Sequence, residues 1–333
     1  MTRAAQIRTV TKRLDTFHSA SYFAPAMAEA LTDVGLPPVT HYLAQRSAPL
    51  GVASPELVVA TFFNYAPDYV EQQIPSCWES VRPEDATAAR LRGVETLSQQ
   101  LLDSDGPAAV GLDADGISAL ATRIAEAVQP VLDVQPISGR PLYAAHVAAL
   151  RAHTTPAANP ALQPLVDLWR AITLLRECRG DAHIGALVTV GLTGLEAIIL
   201  DSATGRSFYP WSMRKTRGWT EEQWREAAQV LTDRGLLDGP GDDAQLTEAG
   251  VALKEEAEAR TDSAVDAAWS VLTDEQLAAL ADDAKIIAKL VLSSGALPSR
   301  LFGHGSDAKK SWDDSGWPVP SGDRPAAVVC EGE

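Results

Sequence analysis

Apolar residues recur at helical spacing along most of the chain, and the strict alternation typical of strands is rare. The clearest case is residues 83–103, where Leu91, Val94, Leu97 and Leu101 share one face of a helix. Shorter helices are predicted to end near Gln45 and to begin after Ser54. With capping residues as boundaries, the periodicity predicts longer helices at residues 5–22, 25–35, 83–103, 116–132, 140–152, 160–178, 182–190, 193–203, 220–234, 247–260 and 273–292. The pattern therefore predicts an all-α protein.

Short polar motifs indicate where some of these helices begin. Ser54 before Pro55 predicts an N-cap, and Asp181 in "RGDAH" is predicted to cap the helix at residues 182–190. The motif "DADG" at residues 113–116 is similar to the start of a calcium loop, but Thr122 stands at the twelfth position, where a carboxylate is needed. We therefore expect "DADG" to be a turn and a helix cap.

Three regions follow from the distribution of proline, glycine and polar residues. The connector "HTTPAANPALQP" separates an N-terminal helical half, residues 1–152, from a C-terminal half, residues 160–296. From residue 297 the chain is polar, rich in Gly and Pro and aperiodic, so residues 297–333 are predicted to form a disordered tail that includes His304 and Cys330.

The two halves share a segment at a constant offset of 156 residues. "AMAEALTDVGL" at residues 26–36 aligns with "AHIGALVTVGL" at residues 182–192, and in each half a capped helix follows, "SPELVVATFFNY" or "TEEQWREAAQVL". The identical pairs are Ala26 and Ala182, Ala30 and Ala186, Leu31 and Leu187, Val34 and Val190, Gly35 and Gly191, and Leu36 and Leu192. Two related halves packed about a pseudo-twofold axis would explain this. The alternative is that alanine-rich helices align easily.

Composition and charge narrow the possible partners. The chain is 46% hydrophobic but only 6% aromatic, which favours helices, and its formal net charge is −16. A field of that sign repels phosphate backbones, so it argues against non-specific binding to nucleic acid or to an anionic membrane. A local basic patch could still bind DNA.

Cysteine usage and hydropathy indicate a compartment. Cys77, Cys178 and Cys330 lie far apart in the sequence and are odd in number, which supports neither a disulfide framework nor a zinc site. The N-terminal residues lack the apolar core of a signal peptide, and no run of about 18 apolar residues occurs. We therefore expect a cytoplasmic protein that is not associated with a membrane.

The C-terminal half contains a helix-turn-helix signature. A helix ending in "Leu231-x-x-Arg234-Gly235-Leu236", an acidic hairpin and "Leu246-Thr247-x-x-Gly250-x-x-Leu253" resemble the winged-helix segment of MarR-type regulators. Through "SYFAP", "RSAPLG", "RGDAH" and "RGWTEEQW", the chain is also similar to an actinobacterial family of MarR-related proteins. The resemblance implies that the second half is a winged helix-turn-helix with a small β-wing.

Charge at the DNA-contacting positions departs from that of a regulator. Acidic side chains stand where the recognition helix and the wing tip would meet phosphates: Glu221, Glu222, Glu226, Asp233, Asp238, Asp242 and Asp243. Four basic side chains keep a DNA-binding role open: Arg206, Arg214, Lys215 and Arg217. The sequence thus predicts weakened or lost DNA binding.

The repeat and the resemblance both point to a small-molecule cleft between the halves, as MarR-like proteins have. Six candidate residues would line it: His18, Tyr22, Phe23, Arg179, Asp181 and His183. We expect Tyr22 and Arg179 to orient a ligand, His18 and His183 to handle protons or coordinate, and Asp181 to fix Arg179 or His183. The structural alternatives are a cap for Asp181, an ion pair for Arg179 and core packing for His18.

Three functions stay open. The chain is a ligand-binding accessory protein, a ligand-responsive regulator, or an enzyme that reuses the regulator's pocket, with His18 and His183 as candidate catalytic residues. No motif identifies a cofactor or a metal site. The chain would be a monomer that mimics a dimer, or a homodimer. Trp211, Trp219 and Trp224 are expected to form core around the winged helix.

Overall fold

The chain is almost entirely helical in its computed structural model, which describes residues 2–152, 155–306, 311–312 and 318–319. The all-α prediction is therefore confirmed. Two two-residue strands, β1 (Ser311–Trp312) and β2 (Pro318–Val319), pair antiparallel. The helices are α1 (Arg3–Ala20), α2 (Pro25–Asp33), α3 (His41–Ser47), α4 (Pro55–Phe62), α5 (Pro67–Glu71), α6 (Pro83–Leu102), α7 (Gly106–Val110), α8 (Ala114–Val134), α9 (Pro141–Ala152), α10 (Gln163–Thr189), α11 (Gly194–Ala203), α12 (Pro210–Arg217), α13 (Glu221–Asp233), α14 (Glu248–Trp269) and α15 (Asp274–Ser293).

The chain forms two compact units, each built from separated segments. Unit 1 consists of Met1–Phe63, Val70–Ala186 and Ala257–Leu297, and unit 2 consists of Asn64–Tyr69, Leu187–Glu256 and Pro298–Glu333. Three helices, α5, α10 and α14, contribute residues to both units. Each unit therefore contains segments from both sides of the connector at residues 153–159.

Helix α10 replaces two predicted helices. It runs for 27 residues without a break, so "RGDAH" lies inside a helix rather than before one. Gly180 has a helical backbone, and the buried face around it, from Leu175 to Cys178, continues through the segment. Tertiary packing therefore offsets the helix-breaking tendency of glycine, which is about 1 kcal/mol. The predicted cap role of Asp181 and the first-turn position of His183 are both wrong.

Most other helix predictions agree with the structure within a few residues. Ser54 caps α4 by accepting a hydrogen bond from the backbone N–H of Leu57. Asp113 caps α8 by accepting from Gly116 at 2.8 Å, as the interpretation of "DADG" required. Helix α14 extends to Trp269, well past the predicted end near residue 260, because no glycine or proline follows residue 250 until its end.

A hairpin joins α13 to α14 in unit 2. Gly235 adopts a φ of +71° after α13, and Leu237 pairs with Leu246 across the hairpin. A side chain on Gly250 would place its Cβ 2.2 Å from the carbonyl oxygen of Leu236. Glycine is therefore required there by close packing of the backbone.

The repeated segments end in the same helix cap. Gly35 and Gly191 both have positive φ, and the amide after each bonds back to a leucine carbonyl at 3.1 Å. The first segment closes α2, whereas the second closes the much longer α10. The identical Leu, Gly and Leu residues are therefore the cap itself.

Part of the predicted tail is folded within unit 2. Residues 298–306 contain a 3-10 turn at Ser299–Leu301, and Phe302 bridges to Phe208 with ring centroids 4.4 Å apart. His304 Nε2 lies 3.0 Å from the hydroxyl of Tyr209. The disorder prediction is wrong for this stretch, and most of the remaining tail, including Cys330, lies outside the described residues.

No helix within the described ranges is, by itself, both long and apolar enough to cross a membrane. One bent pair, Pro160–Thr189 with Gly194–Ala203, passes that test by length and composition only.

Candidate functional site

Unit 1 buries a group of charged side chains that we name the arginine cluster: Arg46 on α3, Arg90 on α6, and Arg176 and Glu177 on α10. Arg90 is 4% exposed and Glu177 is 2% exposed, while Arg46 and Arg176 are partly covered. Arg90 and Glu177 lie on the largely apolar buried faces of α6 and α10. Three guanidiniums thus surround one deeply buried carboxylate.

Ion pairs within the cluster centre on Glu177. Arg176 Nη1 donates to Glu177 at 2.8 Å, and Arg46 Nη2 lies 3.9 Å from the second carboxylate oxygen. Arg176 Nε also lies 2.9 Å from Asp15 of α1. Burial opposes ionisation, but Arg176 and Arg46 outweigh it and lower the pKa of Glu177 to about 2. Glu177 is therefore a carboxylate at every physiological pH.

Aromatic rings cover the flat faces of the guanidiniums. Arg46 lies over Phe62 at 4.6 Å from the ring centroid, and Tyr42 is 5.6 Å away. Arg90 lies over Trp169 at 4.7 Å, and Arg176 lies over Tyr22 at 5.6 Å. Such contacts stabilise a cation by about 0.5–2 kcal/mol and leave only the edges of the guanidiniums available for hydrogen bonds.

His18 and Tyr22 join this cluster in a directed chain of hydrogen bonds. The hydroxyl of Thr173 donates to the carbonyl oxygen of Trp169 at 2.8 Å, so His18 Nδ1–H donates to Thr173 at 3.0 Å. His18 Nε2 then accepts from the hydroxyl of Tyr22 at 2.8 Å. Burial lowers the pKa of His18 well below its usual value, and Arg176 and Arg90 add to the effect. The imidazole is therefore neutral.

His146 of α9 is a second buried histidine in the cluster. It is 3% exposed, and its Nε2 has no hydrogen-bond partner among the described residues. Burial lowers the pKa of His146 to about 3, against Glu177 and with the help of Arg90. The nitrogen of a neutral imidazole can donate or accept a hydrogen bond, depending on the tautomer.

The remaining predicted site residues lie elsewhere in unit 1. Arg179 donates to Glu258 at 2.6 Å and to Asp262 at 2.9 Å, and His183 Nδ1 lies 2.9 Å from Thr261. His183 is ten residues past Thr173 on α10, a rise of about 15 Å. The structure therefore does not bring His183 to His18.

Asp181 contacts a different helix, and Phe23 follows the end of α1. The carboxylate of Asp181 accepts from the backbone N–H of Tyr143 at 2.9 Å, so it caps α9, the helix that carries His146, instead of its own helix. Burial raises the pKa of Asp181 to about 6, although the Tyr143 hydrogen bond lowers it. Phe23 is half-buried after the end of α1.

The six residues predicted to line the site include none of Arg46, Arg90, Arg176 and Glu177, and they do not include His146. A signal for Arg90 was present, because it follows Ala86 by four residues and precedes Val94 by four on the apolar face of α6. An arginine on an apolar face requires a buried partner. The residues around Arg90 depend on how α1, α3, α6, α9 and α10 pack together. The periodicity of the sequence does not predict this packing.

The predicted DNA-contacting residues lie in unit 2, and two of the four are neutralised or covered. Arg214 forms two hydrogen bonds to Asp242 of the hairpin at 2.6 and 2.8 Å, and Arg217 lies over Tyr65. Arg206 and Lys215 are exposed. The exposed face of α13 carries four acidic residues and one arginine: Glu221, Glu222, Glu226, Asp233 and Arg225.

The three tryptophans predicted to form the core of the winged helix differ in their exposure. Trp224 is buried in its core, and Trp219 donates from its indole to the carbonyl of Asn64 at 2.9 Å. Trp211 is exposed, contrary to the core prediction. Across the described part of the chain, no three His, Cys, Asp or Glu side chains are grouped so as to hold a metal ion.

Comparisons with known proteins identify the family. Neither the curated proteins nor the solved structures include a match to this chain. The model of a helix-turn-helix family matches residues 7–298, which is most of the chain and includes α1 to α15 almost completely. The chain therefore belongs to this helix-turn-helix family.

Proposed function

We propose that this protein binds a small anionic molecule at the arginine cluster and that its contact with DNA is weak. The observation that carries the proposal is the charge of the cluster. Within the described part of the chain, Arg46 pairs with Glu177, Arg176 pairs with Glu177 and Asp15, and Arg90 has no ion pair. One positive charge is left over inside a helical core.

The energetics of buried charge favour an additional anion. Moving an unpaired cation out of water costs several kcal/mol, even after the protein relaxes. The chain folds with that cost only if other interactions offset it. A bound anion would offset it directly, because it adds Coulomb energy and hydrogen bonds where water is excluded.

The order of elements in α10 to α15 supports a winged helix of MarR type. Helix α12 and helix α13 are joined by three residues, and the hairpin bridged by Leu237 and Leu246 precedes the long α14. In such an arrangement α13 is the recognition helix. Its acidic face repels phosphates, which supports ligand binding rather than DNA binding as the main activity.

An internal duplication fits the same family architecture. Helices α4 and α12 both have eight residues, start with proline, and end at a residue with positive φ, Phe63 or Gly218. With the matching caps at Gly35 and Gly191, these pairs support two copies of one helix-turn-helix unit along the chain. The α4 match is to α12, not to α13.

Native mass spectrometry tests the ligand proposal. The purified full-length chain is measured intact and again after denaturation, so that any non-covalent species is released and weighed. Thermal unfolding is then followed with acetate, butyrate and inorganic phosphate, using chloride at equal ionic strength as the control. We expect a released anion or an increase in Tm with at least one oxyanion. A bare protein that none of them stabilises would contradict the proposal.

The second candidate is a DNA-binding regulator, which family membership and the exposed Arg206 and Lys215 favour. A gel shift with the protein's own promoter region at about 0.15 M salt tests it. Sequence-specific retardation that is lost in an Arg206→Ala, Lys215→Ala variant would favour the regulator. No retardation at that salt would favour the accessory ligand-binding role.

A further inference from the structure

Arg90 is the least satisfied charged group of the arginine cluster. It is 4% exposed, forms no ion pair with any described residue, and its Nε and Nη2 have no hydrogen-bond partner. Its flat face lies over Trp169. Burial lowers the pKa of Arg90, which expresses the same energetic cost, although an arginine stays charged in any protein. The structure thus contains a buried cation whose Nε and Nη2 are unpaired among the described residues.

Other arginines of this chain bind carboxylates through the same two atoms, Nε and Nη2. Nε and Nη2 of a guanidinium point in parallel and match the two oxygens of a carboxylate. Arg82 grips Asp85 with this edge at 2.8 Å for both bonds, and Arg123 grips Asp283 in the same way. At Arg90 the same two atoms are buried and unpaired.

Other buried atoms around the cluster also have no hydrogen-bond partner among the described residues. They include the indole Nε1 of Trp169, Nε of Arg46 and Nε of Arg176, which are donors, the Nε2 of the neutral His146, and one acceptor, Oδ1 of Asp15, which forms an ion pair with Arg176. Because an indole nitrogen only donates, Trp169 also favours an acceptor such as an oxyanion oxygen. Donors therefore predominate among the unpaired atoms.

We infer that Arg90 binds the carboxylate of a small monocarboxylic acid side-on, through Nε and Nη2. The inference rests on the proposed function and names its ligand class. A carboxylate carries one negative charge throughout the neutral pH range and neutralises the single excess charge of the cluster. Inorganic phosphate is a mixture of monoanion and dianion there, and its dianion would reverse the sign of that charge. The parallel geometry of the edge suits both oxyanions, so charge decides between them.

Binding of simple carboxylates to the full-length protein tests this inference. Acetate and butyrate are titrated against the wild type, Arg90→Met and Arg90→Lys, with inorganic phosphate and chloride in parallel arms, and Tm and calorimetric affinity are measured. Arg90→Met removes the charge at similar length, and Arg90→Lys keeps the charge but loses the two-pronged edge. Arg92→Met on the exposed face of α6 is the matched control.

We expect the carboxylates to raise the Tm of the wild type and Arg92→Met, and to bind both Arg90 variants at least tenfold more weakly. Equal carboxylate binding by wild type and Arg90→Lys, or stronger binding of phosphate than of carboxylates, would overturn the inference and leave the proposed function standing. If no anion binds the wild type, both fail. Should Arg90→Met not fold, Arg90→Lys decides alone.

Discussion

Glu177 is the residue on which the charges of the arginine cluster converge. Replacing it with Gln keeps the shape but leaves Arg46 and Arg176 without their shared buried carboxylate. Removing one partner of a buried ion pair costs about 3–5 kcal/mol. We predict that Glu177→Gln lowers the free energy of unfolding by that amount in urea titrations.

The exposed Glu126→Gln on α8 serves as the control and should change stability by less than about 0.5 kcal/mol. Added acetate should restore part of the stability of Glu177→Gln, because the cluster then has a larger excess of positive charge. An undiminished stability of Glu177→Gln would show that the carboxylate does not balance the guanidiniums.

Asp181 makes stability depend on pH in an unusual direction. Its pKa is raised to about 6 in the folded chain, from an ordinary value of 3.8, first by burial and then by Glu177, while Tyr143, Leu142 and Arg140 act in the opposite sense. Between these values the folded state holds a proton that the unfolded state releases. This contribution to stability is therefore full at low pH and is lost as pH rises through about 6.

We predict that Asp181→Asn is at least as stable as the wild type at pH 7 and that its advantage disappears toward pH 4. The amide oxygen of Asn still accepts the hydrogen bond from Tyr143, whereas Asp181→Ala loses that bond and should be about 1 kcal/mol less stable than Asp181→Asn at all pH values. Urea unfolding at four pH values measures both. An Asp181→Asn variant that parallels the wild type at every pH would contradict the assigned burial effect.

At the same scale, sequence reasoning identified some cluster residues and missed others for a physical reason. His18 and Tyr22 are four residues apart on consecutive turns, so a local pattern placed them together, and the structure does the same. Arg90 and His146 reach the cluster only through long-range packing. Their local sequences indicate that the two side chains are buried. The residues that surround them belong to other helices and cannot be identified from those local sequences.

Among the elements, the hairpin of unit 2 depends on one glycine. The Cβ of an alanine at position 250 would lie 2.2 Å from the carbonyl of Leu236, which is backbone and cannot move aside. We predict that Gly250→Ala destabilises the fold by about 1–3 kcal/mol, as overpacking does. Gly239→Ala, whose added Cβ meets no atom within 4 Å, is the control. Circular dichroism during thermal unfolding measures both.

Some helix boundaries could be predicted from the sequence, and others could not. Caps with side-chain hydrogen bonds, such as Ser54 and Asp113, were predictable because the capping group and its amide lie within three residues. The continuity of α10 was not predictable, because Asp181 satisfies the amide of Tyr143 on a distant helix. A polar side chain before an apolar run can cap the helix that follows it or bind an amide of another helix. The sequence does not show which of the two it does.

For the whole molecule, the distribution of charge bears on the proposal that contact with DNA is weak. The net charge is −16, and the exposed face of α13 is acidic. We predict that Glu222→Lys, Glu226→Lys increases the affinity for a short DNA duplex at least about tenfold at low salt, because it removes repulsion and adds phosphate contacts. Fluorescence anisotropy at several salt concentrations measures this.

The matched control reverses two exposed charges in unit 1, Glu84→Lys and Glu126→Lys, with the same change in net charge. A much smaller gain in the control would locate the effect at α13. Equal gains would mean that only total charge matters and that α13 has no special position toward DNA.

The direction of the hydrogen bonds from Tyr22 through His18 to Thr173 restricts what can lie beside the phenol. Its only hydrogen is committed to the imidazole, and the threonine hydrogen is committed to a main-chain carbonyl. Tyr22 can therefore offer lone pairs and nothing else to a visiting molecule. A hydroxyl or ammonium group of a ligand next to Tyr22 must therefore donate the hydrogen bond. This end of the cluster selects ligands that have a hydrogen-bond donor at that position.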